Sequence, residues 1–152
     1  MAAFQASAAY LRASEHRDGM NYAPSMSNRA RAIELWAVLK TLGRSGVRQL
    51  VEQLCANARY FAKRLNDEGF RIHNDVVFNQ VLVSCGDDQL TTATLRNIQS
   101  SGECWCGGST WHNQPVIRIS VCDWATRPAE VERSVRAFVH ARSAATAVPS
   151  SF

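Results

Sequence analysis

Glu103-Cys-Trp-Cys-Gly-Gly-Ser-Thr-Trp-His-Asn-Gln-Pro-Val-Ile-Arg-Ile-Ser-Val-Cys-Asp-Trp124 reads as two β-strands joined at His112-Asn113-Gln114, with Pro115 opening the second. The second strand, residues 116–121, is apolar and β-branched except for Arg118 and Ser120. Side chains alternate across a strand, so Ile117, Ile119 and Val121 share one face. Val116, Arg118 and Ser120 share the other. A guanidinium is always charged, so Arg118 must meet either water or an anion.

Outward from this hairpin, the pattern gives helices and short strands. Ser27 or Asn28 can cap a helix over 29–42. Its Ile33, Leu35, Trp36, Val38, Leu39 and Leu42 leave little polar circumference, which predicts a mostly buried helix. Gly43-Arg-Ser-Gly46 breaks it. A second helix spans 47–67, with Val47, Leu50, Val51, Leu54, Ala58, Phe61 and Leu65 in one stripe. Glu52, Arg59, Lys63 and Arg64 lie off the stripe and are expected in solvent. Strands follow at 70–73 and 76–84, then a helix at 89–100 that Gly102 stops. A last helix starts at Thr126-Arg-Pro-Ala, since Pro fits a first turn, and buries Val131, Val135, Phe138 and Val139.

The order α, α, β, β, α, β, β, α with short links predicts an α+β domain: a mostly antiparallel sheet with helices on one face. Residues 1–27 read as a short helix and a loop, residues 28–143 as the domain, and residues 144–152 as a disordered tail. No internal repeat is present.

At 152 residues the chain has room for one domain with a real core. Its hydrophobic fraction of 46% and charged fraction of 20% are those of a soluble globular protein. The net charge of +4 is carried almost wholly by arginine and is spread along the chain, which argues against a nucleic-acid partner. No apolar run approaches the ~20 residues of a membrane span. The N-terminus lacks the basic and long apolar regions of a signal peptide. Five cysteines without framework spacing fit a reducing, cytoplasmic setting.

The chemistry-bearing residues do not assemble into a familiar motif by spacing alone. Cys104 and Cys106 flank Trp105, but no Cys-x-x-Cys partner exists, and they read as structural cysteines rather than metal ligands. His16, His73, His112 and His140 lie on unrelated elements, without a paired nucleophile. No nucleophile elbow, P-loop or dinucleotide fingerprint is present. Arg29 and Arg31 sit where a helix start disfavours cations, which hints at an acidic neighbour.

The chain as a whole does resemble a family. Ser7-Ala-Ala-Tyr-Leu11, Ser27-Asn-Arg-Ala-Arg-Ala-Ile-Glu-Leu-Trp36, Asn74-Asp-Val-Val-Phe-Asn-Gln-Val-Leu-Val83, Gly102-Glu-Cys-Trp-Cys-Gly-Gly-Ser-Thr-Trp111 and Ile117-Arg-Ile-Ser-Val-Cys-Asp-Trp-Ala-Thr126 occur in that order. Together they resemble the C-terminal part of group II pyridoxal-phosphate-dependent amino-acid decarboxylases, the aromatic-amino-acid and glutamate decarboxylases among them. The resemblance covers about residues 5–142.

It implies the small C-terminal domain of the type I pyridoxal-phosphate fold, shared with aspartate aminotransferase. It implies an L-amino-acid substrate, a homodimer in the full-length enzyme and pyridoxal 5'-phosphate as cofactor. Tyr10 matches the tyrosine of the family's mobile active-site loop, thought to protonate the carbanion after carbon dioxide leaves. A phenol of pKa ~10 is a poor acid in water but a plausible donor in a closed, dry site. Arg118 matches the strand arginine that clamps a substrate carboxylate, a task suited to a planar bidentate donor. Asn28 stands where relatives are often basic.

The family's His-Lys motif, whose lysine holds the cofactor, is absent. So are the aspartate that pairs with the pyridine nitrogen and the phosphate-binding segment. The expectation is therefore a C-terminal fragment of a decarboxylase, inactive alone. The alternatives are an aminotransferase-type small domain or a non-enzymatic binding partner of a full-length homologue.

Overall fold

The computed structural model describes residues 29–147. The chain divides at Gly43 into two compact units. Helix α1 (Ala32–Asp67) is interrupted at that residue, whose φ of 60° and ψ of −175° no side-chain-bearing residue adopts comfortably. The sequence places the helix start at Arg29, but α1 begins at Ala32, after a turn in which Arg31 N–H bonds Arg29 C=O at 2.9 Å.

In the first unit, Ile33, Leu35, Trp36, Val38, Leu39 and Leu42 are all exposed, Trp36 at 65%. The expectation of a mostly buried helix is thus corrected. Apolar composition shows that a surface needs cover, not that this chain supplies it.

The second unit is a four-stranded antiparallel sheet with helices against one face. The strands are β1 (Arg71–Ile72), β2 (Gln80–Ser84), β3 (Gly107–Trp111) and β4 (Gln114–Ser120), in spatial order β1-β2-β4-β3. The helices are the Arg44–Asp67 part of α1, α2 (Asp88–Ser101) and α3 (Pro128–Ala147). Val81 and Val83 of β2 and Ile117 and Ile119 of β4 present the inner face, at most 5% exposed. Onto it pack Ala58, Phe61 and Leu65 of α1, Ile98 of α2, and Val131, Val135 and Phe138 of α3. Phe138 is the hub. Phe61 and Phe70 meet it edge-on, with ring centroids 5.7 and 5.9 Å away.

Local chemistry fixes the ends. Asp87 caps α2 by accepting from Leu90 N–H at 2.7 Å. Gly102 closes it in the left-handed conformation, φ 70°. Glu130 accepts from Arg127 N–H at 2.9 Å, the glutamate half of a capping box, at the start of α3. That helix runs on to Ala147, past Ser143, where the composition predicts fraying.

The β3–β4 hairpin forms as its alternation predicts, with a tighter turn. His112 and Asn113 alone make it, both at positive φ (47° and 63°), and β4 opens at Gln114. The predicted 76–84 strand is cut to Gln80–Ser84. The Asn74 side chain takes over the edge bonding instead, accepting from Leu82 N–H at 2.8 Å and donating to Gln80 C=O at 3.1 Å. With that edge occupied, β1 stops at Ile72, and Val77 and Phe78 are left exposed.

Candidate functional site: the open face of the sheet

Directly paired residues share a face of an antiparallel sheet. Leu82, Arg118 and Gly107 therefore form one row across the outer face, the face away from the helices. Gln80 and Ser120 form the next row on one side of Arg118, and Ser84 with Arg71 and Val116 with Ser109 lie on its other side along the same face, where Ser84 and Val116 are buried. No Asp or Glu occurs at these outer-face strand positions. Arg118 is exposed and takes part in none of the ion pairs among the described residues. Its row neighbour Gly107 has no side chain to cover it, and its other neighbour Leu82 is apolar and half-buried.

The same face is basic at one side. His73 Nε2 lies 2.8 Å from Ser84 Oγ. Partial burial lowers the pKa of His73, and the charges of Arg71 and His112 lower it further. His73 is thus held neutral more firmly than a free imidazole. A sheet face with an accessible guanidinium, a second arginine (Arg71) on β1 and no strand carboxylate is suited to bind an anion.

The remaining sequence candidates fall elsewhere. Tyr10 and His16 lie outside the described residues. Arg29, just before α1, finds its acidic neighbour in the first turn of that helix, pairing with Glu34. Cys104 and Cys106 precede β3 rather than lying in it. With Cys122 and Trp105 they line a cleft of about 170 Å³. Burial pushes the Cys106 thiol up to about 12, and Cys104 is raised as well, so neither is a ready thiolate. No cluster able to hold a metal ion occurs among the described residues.

Sequence reasoning missed two arrangements. Arg64, expected in solvent, is half-buried and donates to Glu132 of α3, with Nε 2.7 Å from Oε1, while Tyr60 Oη donates to the same oxygen at 2.5 Å. His73 with Ser84 is the other. The period-2 spacing of Arg71 and His73 signalled a shared face, but a pairing 68 positions apart leaves no local trace.

A pyridoxal-phosphate site needs an amine that can lose its proton, a cradle for phosphate and a partner for the pyridine nitrogen. Lys40 is exposed on α1, Lys63 pairs with Asp67 at 2.8 Å on exposed surface of the same helix, and the outer-face strand positions include no lysine. The described residues by themselves do not fit the cofactor.

Residues 1–85 match the family model described as "Pyridoxal-dependent decarboxylase conserved domain". Over 111 residues the chain is 26% identical to an aromatic-L-amino-acid decarboxylase of Drosophila lebanonensis, covering 72% of this chain and 28% of that protein. Among solved structures it is similar to Oryza sativa TDC with PLP and tryptamine, with a TM-score of 0.72 and 14% identity over 94% of this chain and 33% of that one. It also resembles Rhodiola rosea 4-hydroxyphenylacetaldehyde synthase, with a TM-score of 0.70 and 22% identity over 79% and 28%. A third is Catharanthus roseus tryptophan decarboxylase in complex with L-tryptophan, with a TM-score of 0.66 and 17% identity over 78% and 26%. The chain thus spans about a quarter to a third of the length of these relatives.

Proposed function

This chain belongs to the pyridoxal-dependent decarboxylase family, and on that premise we propose that it supplies the small C-terminal part of an L-amino-acid decarboxylase, inactive by itself. A cofactor-binding region with the Schiff-base lysine would complete it. The observation that carries this reading is Arg118, an accessible guanidinium amid the outer sheet face with no carboxylate at the strand positions around it.

In this reading Arg118 binds the substrate carboxylate through paired N–H donors and so fixes the orientation of the amino acid. Leu82 beside it offers an apolar wall. Tyr10 is the proposed proton donor, its phenol effective only once water is excluded. The completed enzyme would be a cytoplasmic homodimer, and residues 28–143 its small domain. Tyr10 and the segment after it favour a decarboxylase over an aminotransferase, which returns the proton through its lysine.

The test is a chimera that joins the cofactor-binding region of a family decarboxylase to this chain. Arg118→Lys in that chimera should raise KM about tenfold or more, equivalent to losing roughly 1.4 kcal/mol of binding, because an ammonium cannot make the bidentate contact. Unchanged kinetics would return Arg118 to an ordinary solvated residue.

A further inference from the structure

The two edges of the sheet are built differently. β1 is two residues long and carries Arg71, features that discourage a further strand. β3 is five residues, Gly-Gly-Ser-Thr-Trp, with no charge and no proline, and residues 108–111 are exposed. The hairpin turn fixes which of its backbone groups are free. Trp111 and Gln114 close a two-residue turn, so they exchange hydrogen bonds, as do Ser109 with Val116 and Gly107 with Arg118. Thr110 and Gly108 belong to the alternate pairs, and their N–H and C=O point away from β4. Pro115, opposite Thr110, needs no N–H toward β3, which is why the ladder tolerates it.

We propose that this edge pairs with the β3 edge of a second copy of the chain, antiparallel about a two-fold axis at Ser109, to make one continuous sheet. The edge is self-complementary in that register. Gly108 of each copy faces Thr110 of the other, so the outward N–H and C=O groups meet as hydrogen-bonded pairs. Ser109 faces Ser109. No like charges oppose one another, because the strand has none.

On the outer face, Gly107 of one copy stands opposite Trp111 of the other. An indole that is 39% exposed in the single chain then gains a cross-strand glycine to cover. Gly107 is also the row neighbour of Arg118, so the second copy's Trp111 comes up beside that guanidinium, across a gap with no side chain in it. The second copy thereby contributes an aromatic group to the anion-binding face. The inference stands on the strand geometry and not on the proposed decarboxylase reading.

Sedimentation velocity of the full chain over a concentration series tests it, together with Thr110→Pro. That substitution removes an outward N–H and leaves the β3–β4 ladder its bonds, so it should abolish the dimer while the far-UV circular dichroism stays unchanged. A second variant, Ser109→Cys in a Cys122→Ser background, should give a disulfide between the two introduced thiols on mild oxidation, identified by mass spectrometry of the linked peptides. This arm decides the matter if Thr110→Pro fails to fold. A chain that is monomeric throughout would overturn the proposal. So would a dimer that survives Thr110→Pro and forms no Ser109→Cys cross-link, because the copies would then be using another surface.

Discussion

Arg64 and Glu132, 68 positions apart, are joined by two hydrogen bonds, Nε to Oε1 at 2.7 Å and Nη2 to Oε2 at 3.3 Å. They clamp the second half of α1 to the start of α3 beside the Phe61–Phe138 contact. Tyr60 adds a third donor to the same carboxylate. These bonds lower the Glu132 pKa, Arg64 contributing most and Tyr60 next. A depressed carboxylate pKa stabilises the fold above the ordinary Glu value and loses that contribution as pH falls through the folded-state value. Glu132→Gln should therefore lower the urea midpoint at pH 7, and the difference from the wild type should shrink in acid. A double-mutant cycle with Arg64→Met, read by urea unfolding, should show coupling, and additivity would remove the clamp from the account.

His73 gives the opposite arm of the pH profile. Its pKa is lowered, first by burial and then by Arg71 and His112. The unfolded chain therefore takes up the proton before the folded chain does. The contribution of neutral His73 is complete above about pH 6.5, the ordinary imidazole value. It declines as pH falls from there toward the folded-state value. His73→Asn should flatten the fall in urea midpoint between about pH 7.5 and 5.5, the range that brackets the ordinary imidazole value. An unchanged slope would mean that His73 titrates as a free imidazole.

The hairpin turn stores removable strain. His112 and Asn113 both hold positive φ, and Asn-Gly is the pair this turn prefers. Asn113→Gly should raise unfolding stability by about 0.5–1 kcal/mol, measured by urea denaturation, because glycine takes the left-handed conformation without a Cβ clash. A loss of stability would show that the asparagine side chain contributes more than its backbone conformation costs.

The packed centre is equally open to test. Phe138 is fully buried, with Phe61 and Phe70 against it. Phe138→Ala should cost about 3–5 kcal/mol, the range for deleting a buried aromatic, and the thermal melt should lose its sharp transition. A small change would place the core elsewhere.

The hairpin, α2 and the buried stripe of α3 were legible because alternation and helical spacing record which face of an element is apolar. The same signal misled at Trp36 and Leu39, whose apolar character says nothing about whether this chain holds their cover. It overran at Val77 and Phe78, where the Asn74 side chain, not strand propensity, decided how long the ladder could run. Arg118 was legible as an odd charge in an apolar strand. The other polar groups of its face, Arg71 and the His73–Ser84 pair, come from β1, the residue just after it and β2, and β1 meets β4 only through β2. Arg64 looked solvated because its acceptor lies on a distant helix.

As proposed, this chain carries part of a decarboxylase site and depends on another region for the cofactor. Titrating the purified chain with pyridoxal phosphate, followed by absorbance and by carbon dioxide release from added L-amino acids, tests it most directly. No stoichiometric Schiff-base band and no turnover are expected. A stoichiometric band accompanied by amino-acid decarboxylation would contradict it.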